Sequence, residues 1–139
     1  MTGFVVDASA MLAWCFEDER PKDSDRVLDR LMEGGMAAPA HWPLEIANIL
    51  WQGERRRRIT AADADAFVET VSELGIEIDL ETAQRAWREA RALTREHKLT
   101  SYDAAYLELA LRLKATLVSK DADLLRAARR AGVPVLNLA

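Results

Sequence analysis

Four acidic residues stand where their side chains could act together, although they are far apart in the sequence. Asp7 directly follows the apolar run Phe4-Val5-Val6, and Asp121 follows a second apolar run at Thr116 to Val118. Each run is predicted to form a short buried strand. Because the carboxyl ends of parallel strands meet at one edge of a sheet, we expect Asp7 and Asp121 to lie at the same edge.

The other two acids are predicted to reach that edge from the first turns of helices. Pro43 is favourable at the beginning of a helix, which places Glu45 near the N-terminus of that helix. Ser101 is predicted to cap another helix, so that Asp103 falls in its first turn. A single acid at such a position has a plainer interpretation, because the helix dipole stabilises it by about 0.3–1 kcal/mol. The set of four acids is therefore more informative than any one of them.

Such a cluster of carboxylates implies a particular chemistry. Carboxylates that lie close together raise one another's pKa unless a cation compensates their charge. Oxygen ligands favour hard divalent cations such as Mg²⁺ or Mn²⁺, and neither His41 nor His97 has a partner at a spacing typical of zinc sites. A hydrated cation held by acids can hydrolyse a phosphodiester by activating water and orienting the phosphate. We therefore expect a metal-dependent hydrolase acting on phosphodiester bonds.

The elements that must position these acids follow from the apolar pattern. Short apolar strands alternate with amphipathic helices along the chain, which predicts an α/β fold with a short, mostly parallel sheet flanked by helices. Thr60 and Asp63 have the spacing of a capping box, and a helix is expected from there to Leu74. A long charged helix is expected from Thr82 to His97. We find neither a repeat nor a long linker and predict a single domain over residues 1–139.

Composition excludes several other classes of protein. Half of the 139 residues are apolar, enough to bury a core, but no apolar run is long enough for a membrane-spanning helix. The single cysteine, Cys15, cannot form an internal disulfide, and no secretion signal is recognised, so a cytoplasmic protein is expected. The net charge is −4, so any nucleic acid must be attracted by local basic patches or by bound metal.

Four sequence blocks resemble, in order, the PIN-domain nucleases and specifically the VapC toxins of toxin–antitoxin pairs. No single block is specific, but together they span nearly the whole chain. The blocks are Phe4-Val5-Val6-Asp7-Ala8-Ser9, Leu44-Glu45-Ile46-Ala47-Asn48, Leu99-Thr100-Ser101-Tyr102-Asp103-Ala104-Ala105-Tyr106 and Leu117-Val118-Ser119-Lys120-Asp121-Ala122-Asp123-Leu124.

The resemblance implies a three-layer PIN-like fold and endonucleolytic cleavage of RNA by metal-activated water. It implies that Asp7, Glu45, Asp103 and Asp121 are catalytic and that Asp7, Asp103 and Asp121 are the principal ligands of Mg²⁺ or Mn²⁺. It also implies an antitoxin that covers the site, and a homodimeric toxin. Which RNA is cut, and whether one or two ions bind, is left open by the sequence.

Several further residues are assigned lesser roles. Ser9 and Ser119 could orient a carboxylate, and Asp123 is an accessory acid that equally suits the first turn of a helix. The run Arg55-Arg56-Arg57-Arg58 could bind RNA phosphates or could only stabilise the C-terminus of a helix through its positive charge. The same two interpretations apply to the arginines of the last predicted helix. Trp51 is expected to pack in the core or at an interface.

Two other functions compete with the nuclease interpretation. A receiver or aspartyl phosphatase also has an acid after its first strand, but Asp7 is followed by Ala8 and Ser9, without the additional acids those proteins use. The second alternative is a non-catalytic domain that only binds a partner. It is disfavoured because all four acids are present.

Overall fold

Five short strands form one sheet in the computed structural model, which describes residues 2–139. In chain order they are β1 (Phe4–Val6), β2 (Met36–Ala38), β3 (Glu77–Ile78), β4 (Thr116–Ser119) and β5 (Val135–Asn137). Their spatial order is β3-β2-β1-β4-β5, and every neighbouring pair is parallel. The predicted α/β fold with a parallel sheet is confirmed.

The helices cover both faces of this sheet. All three residues of β1 are buried, and successive side chains of a strand point to opposite faces, so neither face of the central strand meets solvent. The helical segments are α1 (Ala8–Leu12), a 3₁₀ turn (Glu17–Glu19), α2 (Ser24–Gly34), α3 (Trp42–Arg55), α4 (Ala61–Ser72), α5 (Thr82–Arg85), a π-helical turn (Ala86–Ala90), α6 (Arg91–His97), α7 (Ser101–Leu113) and α8 (Ala122–Arg130). None of the helices in residues 2–139 has the length and apolar character needed to cross a bilayer.

The local signals read from the sequence are mostly confirmed at the helix N-termini. Thr60 and Asp63 form a reciprocal capping box at the start of α4. Ser101, however, is not the cap of α7. Thr100 caps that helix by accepting a hydrogen bond from the Asp103 amide at 3.2 Å, because Thr100 still has an extended backbone, with φ −64° and ψ 158°.

One other expectation from the sequence is wrong, and a second is narrowed. The stretch from Thr82 to His97 is not one regular α-helix, since it contains the π-helical turn at Ala86–Ala90. Of the two positions expected for Trp51, the core is excluded, since 56% of the residue is exposed on the outer side of α3. Helical periodicity places Trp51 on a face of the helix but does not determine which neighbour covers that face.

The order of the strands creates a crevice beside β1. The chain builds β2 and β3 on one side of β1 and then crosses to the other side to add β4 and β5. Ligand sites of open parallel sheets lie beyond the carboxyl ends of the strands at such a reversal. Asp7 follows β1 and Asp121 follows β4, so both acids flank this crevice.

Candidate active site

Asp7 is held rigidly at the end of β1 as the N-cap of α1. Its Oδ1 accepts hydrogen bonds from the Ala10 amide and the Ser9 hydroxyl, both at 2.8 Å, and its Oδ2 accepts one from the Ser119 hydroxyl at 2.5 Å. Only 4% of Asp7 is exposed. Burial raises the pKa of Asp7, as does the nearby Asp121 carboxylate, although the three hydrogen bonds oppose the shift.

Asp121 caps the next helix at the same edge of the sheet. Its Oδ1 accepts from the amides of Asp123 and Leu124, at 2.9 and 3.1 Å. Its own amide donates to the Ser119 hydroxyl at 2.9 Å, and that hydroxyl in turn donates to Asp7. Ser119, which is fully buried, therefore joins the loops that carry the two acids.

Asp103 shows that the four acids share one electrostatic environment. Its pKa is raised to about 6, first by burial and then by the negative charges of Asp121, Asp7 and Glu45. These three acids come from separate elements of the fold, and each is near enough to Asp103 to raise its pKa. The sequence-predicted set is thus brought together by the structure.

The pKa of Glu45 is lowered, in contrast to those of Asp7 and Asp103. Its Oε1 accepts a hydrogen bond from the Tyr106 hydroxyl at 2.7 Å. His41 Nε2 lies 3.0 Å from the same oxygen, in an electrostatic contact rather than a well-formed hydrogen bond. Burial alone would raise the pKa of Glu45, but His41 and Tyr106 outweigh it. Glu45 is therefore ionised at neutral pH.

Sequence reasoning missed the roles of Tyr106 and His41. Tyr106 lies one turn after Asp103, on the same side of α7. His41 precedes Glu45 by four residues, the spacing at which side chains of a helix meet. These two spacings were visible in the sequence, whereas the contact between Tyr106 and Glu45 joins residues 61 positions apart.

The donor set fits a hard divalent cation by its chemistry. Neighbouring acids raise the pKa of Asp7 and of Asp103, and within residues 2–139 no hydrogen bond reaches Asp121 Oδ2 or Glu45 Oε2. Oxygen-only clusters of this kind favour Mg²⁺ or Mn²⁺. The side chains do not form a complete coordination shell, because no three His, Cys, Asp or Glu residues of the described chain are arranged so that they could hold an ion.

The arginine run at the end of α3 lies away from these acids. Ten residues separate Glu45 from Arg55, which is about 15 Å along a helix. Arg58 is engaged within the protein, with Nη2 2.9 Å from Asp18 and 3.0 Å from Glu19 and its guanidinium over the Phe16 ring. The other three, Arg55, Arg56 and Arg57, are exposed.

Asp123 lies in the first turn of α8, next to Asp121. Its side chain is 75% exposed and pairs with Arg126 at 3.0 Å. Its contact with the acid cluster in the structure runs through its backbone amide, which donates to Asp121. Ser9 has a closer connection, since its hydroxyl donates to Asp7 and accepts from the Lys120 amide at 3.2 Å.

Comparison with known protein families gives a match over most of the chain. The family model described as "PIN domain" matches residues 4–130. A protein named ribonuclease VapC3 from Pyrobaculum aerophilum is 31% identical over 120 residues, covering 86% of this chain and 90% of the relative. Another ribonuclease VapC3, from Mycobacterium tuberculosis, is 33% identical over 126 residues, covering 88% and 85%.

Solved structures share the same architecture. PAE2754 from Pyrobaculum aerophilum superposes with a TM-score of 0.69 at 23% identity, covering 96% of this chain and 89% of that one. FitAcB from Neisseria gonorrhoeae superposes with a TM-score of 0.60 at 17% identity, covering 97% of both chains. At these identities the likeness concerns the fold, and the predicted three-layer fold is confirmed.

Proposed function

The chain belongs to the PIN-domain family, among the VapC-type ribonucleases, and from this membership we propose that it is a toxin endoribonuclease that uses Mg²⁺ or Mn²⁺. The proposed catalytic residues are Asp7, Glu45, Asp103 and Asp121. One observation carries the proposal: the pKa of Asp103 is raised to about 6 by burial and by three other acids contributed by separate elements. Such an arrangement is unfavourable for the protein alone and is favourable once a cation is bound.

The residues of the site would have two different roles, holding the cation and accepting a proton. Asp7, Asp103 and Asp121 would hold the cation, and the hydrogen bonds from Ser9, Ser119 and backbone amides keep Asp7 and Asp121 in place. When bound, a divalent cation supplies charge neutralisation, orientation of the phosphate and activation of water. Glu45 is ionised, and its Oε2 is free to accept a proton during hydrolysis.

The experiment that tests this function is cleavage of total cellular RNA by the purified protein. Reactions contain Mg²⁺, Mn²⁺ or a chelator, and each is repeated with Asp7→Asn and with Asp65→Asn, a matched change at an exposed position on α4. We expect discrete RNA fragments that require the cation, are lost in Asp7→Asn and persist in Asp65→Asn. Cleavage by Asp7→Asn at the wild-type rate, with its fold intact, would exclude this site as the catalytic centre.

Binding of the cation is tested separately from activity. A ligand that binds only the folded state stabilises it by about 2.7 kcal/mol at a hundred times its dissociation constant. We therefore expect Mn²⁺ to raise the melting temperature of the wild type and of Asp65→Asn but not that of Asp7→Asn. Unchanged melting of the wild type at millimolar Mn²⁺ would contradict the metal site.

Its partners are proposed on the basis of the family. We propose a cognate antitoxin and a homodimer in the cytoplasm, with RNA as the substrate. The exposed apolar side chains of α3, Leu44 at 75% and Trp51 at 56%, support a protein partner on that helix. Seven residues separate them, so both lie on one face of the helix, beside Glu45. Light scattering of the purified chain, alone and with the antitoxin, measures both associations.

A further inference from the structure

A small basic pocket lies between the end of α6 and the outer side of α8. Its volume is about 290 Å³. None of the four proposed catalytic acids lines it. The lining residues are His97, Lys98, Asp123, Arg126, Ala127 and Arg130.

The pocket carries positive charge that the protein does not neutralise. Arg126 is paired with Asp123 at 3.0 Å, but within residues 2–139 no carboxylate forms an ion pair with Lys98 or Arg130. This local excess of cations stands out in a chain whose net charge is −4. It is the kind of feature that attracts an anion to one place on an otherwise acidic protein.

His97 adds a second, independent indication of a ligand. Its side chain is only 4% exposed, and its Nδ1 is buried without a hydrogen-bond partner in the described chain. The nearest acid, Glu96, is 3.9 Å from the other ring nitrogen. Buried polar atoms nearly always have a partner, and when His97 Nδ1 carries a proton it is a donor that an anion could pair with.

Both walls of the pocket continue directly into the acid cluster. On one side, the amide of Asp123 donates to Asp121 at 2.9 Å, and Arg126 lies five residues beyond Asp121, about 7.5 Å along the helix. On the other side, Lys98 precedes by two residues Thr100, which caps the helix that carries Asp103. An anion in the pocket would thus lie next to the acids without touching them.

We propose that this pocket binds a backbone phosphate of the RNA strand, adjacent to the phosphodiester at the acid cluster. The inference rests on the proposed ribonuclease function. Arg126 lies only about 7.5 Å along α8 from Asp121, so one strand could contact both the pocket and the acid cluster. Arginine forks match the geometry of phosphate oxygens, and such contacts set the position of the strand without reading its sequence.

The test measures RNA binding in a protein that cannot cleave. A labelled oligouridylate is titrated with Asp7→Asn protein over a range of KCl concentrations, and affinity is followed by fluorescence anisotropy. Arg130→Gln and Lys98→Asn are added singly to this background; asparagine suits the left-handed backbone of residue 98, where φ is 55°. Arg129→Gln, at an exposed neighbour outside the pocket, is the matched control.

We expect each pocket variant to weaken binding roughly fivefold and to reduce the slope of log K against log[salt] by about 0.7, the contribution of one phosphate contact on a single strand. Arg129→Gln should match the parent protein in both respects. Equal effects of Arg129→Gln and Arg130→Gln, with wild-type protein still cleaving RNA, would overturn the pocket assignment alone. Failure of the wild type to bind or cleave RNA would overturn the ribonuclease and the pocket together.

An acidic protein segment is the other anion that this pocket could bind. Polyglutamate is therefore titrated against the same variants. If Arg130→Gln abolishes polyglutamate binding and leaves oligouridylate binding unchanged, the RNA assignment is wrong and the pocket serves a protein partner.

Discussion

Two clusters of acids in this protein differ in how their charge is balanced. One is the candidate active site at the carboxyl edge of the sheet. The other surrounds Arg112, whose Nη2 lies 2.7 Å from Asp79 and 2.9 Å from Glu108 and whose Nη1 lies 3.3 Å from Glu81. We call the second group the Arg112 cluster. It carries its own cation, whereas the active-site acids face one another.

The pKa values of the two clusters shift in opposite directions. The Arg112 guanidinium holds the pKa of Asp79 below its usual value, whereas burial and neighbouring acids raise that of Asp103 to about 6. The same helix, α7, contributes to both clusters, with Asp103 in its first turn and Glu108 and Arg112 further along. Asp79 is thus an acid whose charge the protein balances, whereas the charge of Asp103 has no balancing cation among the described residues.

The largest expected effect is on the rate of RNA cleavage, when one acid of each cluster is replaced by asparagine in separate variants. Asp103→Asn should lower the rate of RNA cleavage by roughly 100- to 1000-fold, because it removes a charge that acts on the reacting phosphate through the cation. Asp79→Asn should leave the rate per folded molecule unchanged while lowering the melting temperature. The two variants are compared by initial cleavage rates and by thermal unfolding, and a loss of activity in Asp79→Asn alone would reverse the assignment.

Removing the cation of the Arg112 cluster should have the next largest effect. Arg112→Met leaves the carboxylates of Asp79 and Glu108 without a positive partner, and we expect the free energy of unfolding to fall by about 3 kcal/mol. Arg85→Met, which breaks an exposed pair with Glu81, should cost less than about 0.5 kcal/mol. Urea unfolding measures both. Similar losses in the two variants would show that the cluster contributes no more than a surface pair.

The pH dependence of stability should distinguish the clusters when a chelator is present. The folded-state pKa of Asp103 lies above its ordinary value of 3.8, so ionisation destabilises the fold, and this penalty is relieved as pH falls through about 6. Asp103→Asn should therefore be more stable than wild type at pH 7, by about 1 kcal/mol after allowance for solvent screening, and equal to it near pH 4.

Asp79 should show the opposite sign. Its folded-state pKa is lowered, so its contribution to stability is present above the ordinary value of 3.8 and is lost as pH falls through the folded-state value. Asp79→Asn should thus be less stable than wild type at pH 7, and the difference should shrink only in strong acid. Urea unfolding between pH 7 and pH 4 follows both variants; parallel curves would contradict the opposed shifts.

The smallest predicted effect concerns the hydrogen bond that orients Glu45. Tyr106→Phe removes the donor to Glu45 Oε1 while keeping the buried ring. The free energy of unfolding should therefore fall by about 1 kcal/mol, and RNA cleavage should become roughly tenfold slower. Tyr102→Phe, at a residue that is 63% exposed, is the control and should change neither quantity. Equal cleavage rates for the two variants would show that Tyr106 serves packing alone.

Much of the site could be predicted because its acids are marked by local signals. Asp7 and Asp121 each follow an apolar strand, so parallel-strand geometry places them at one edge, and Glu45 and Asp103 each lie in the first turn of a helix. The Thr60–Asp63 capping box was visible for the same reason, since both partners lie within one turn. The cap of α7 was misplaced by one residue because Thr100 and Ser101 have equivalent side-chain chemistry, and the backbone decides between them.

The sequence by itself determined the alternation of strands and helices, the parallel sheet and the four acids, because periodicity and strand-end positions depend on short stretches of chain. Only the tertiary structure decided that Tyr106 orients Glu45, that Arg112 reaches Asp79 across 33 positions and that Arg58 is engaged with Asp18 and Glu19. It also decided that Trp51 is exposed and that Lys98 and Arg130 share a pocket. These contacts depend on how helices pack across the sheet, which brings together side chains that no local pattern relates.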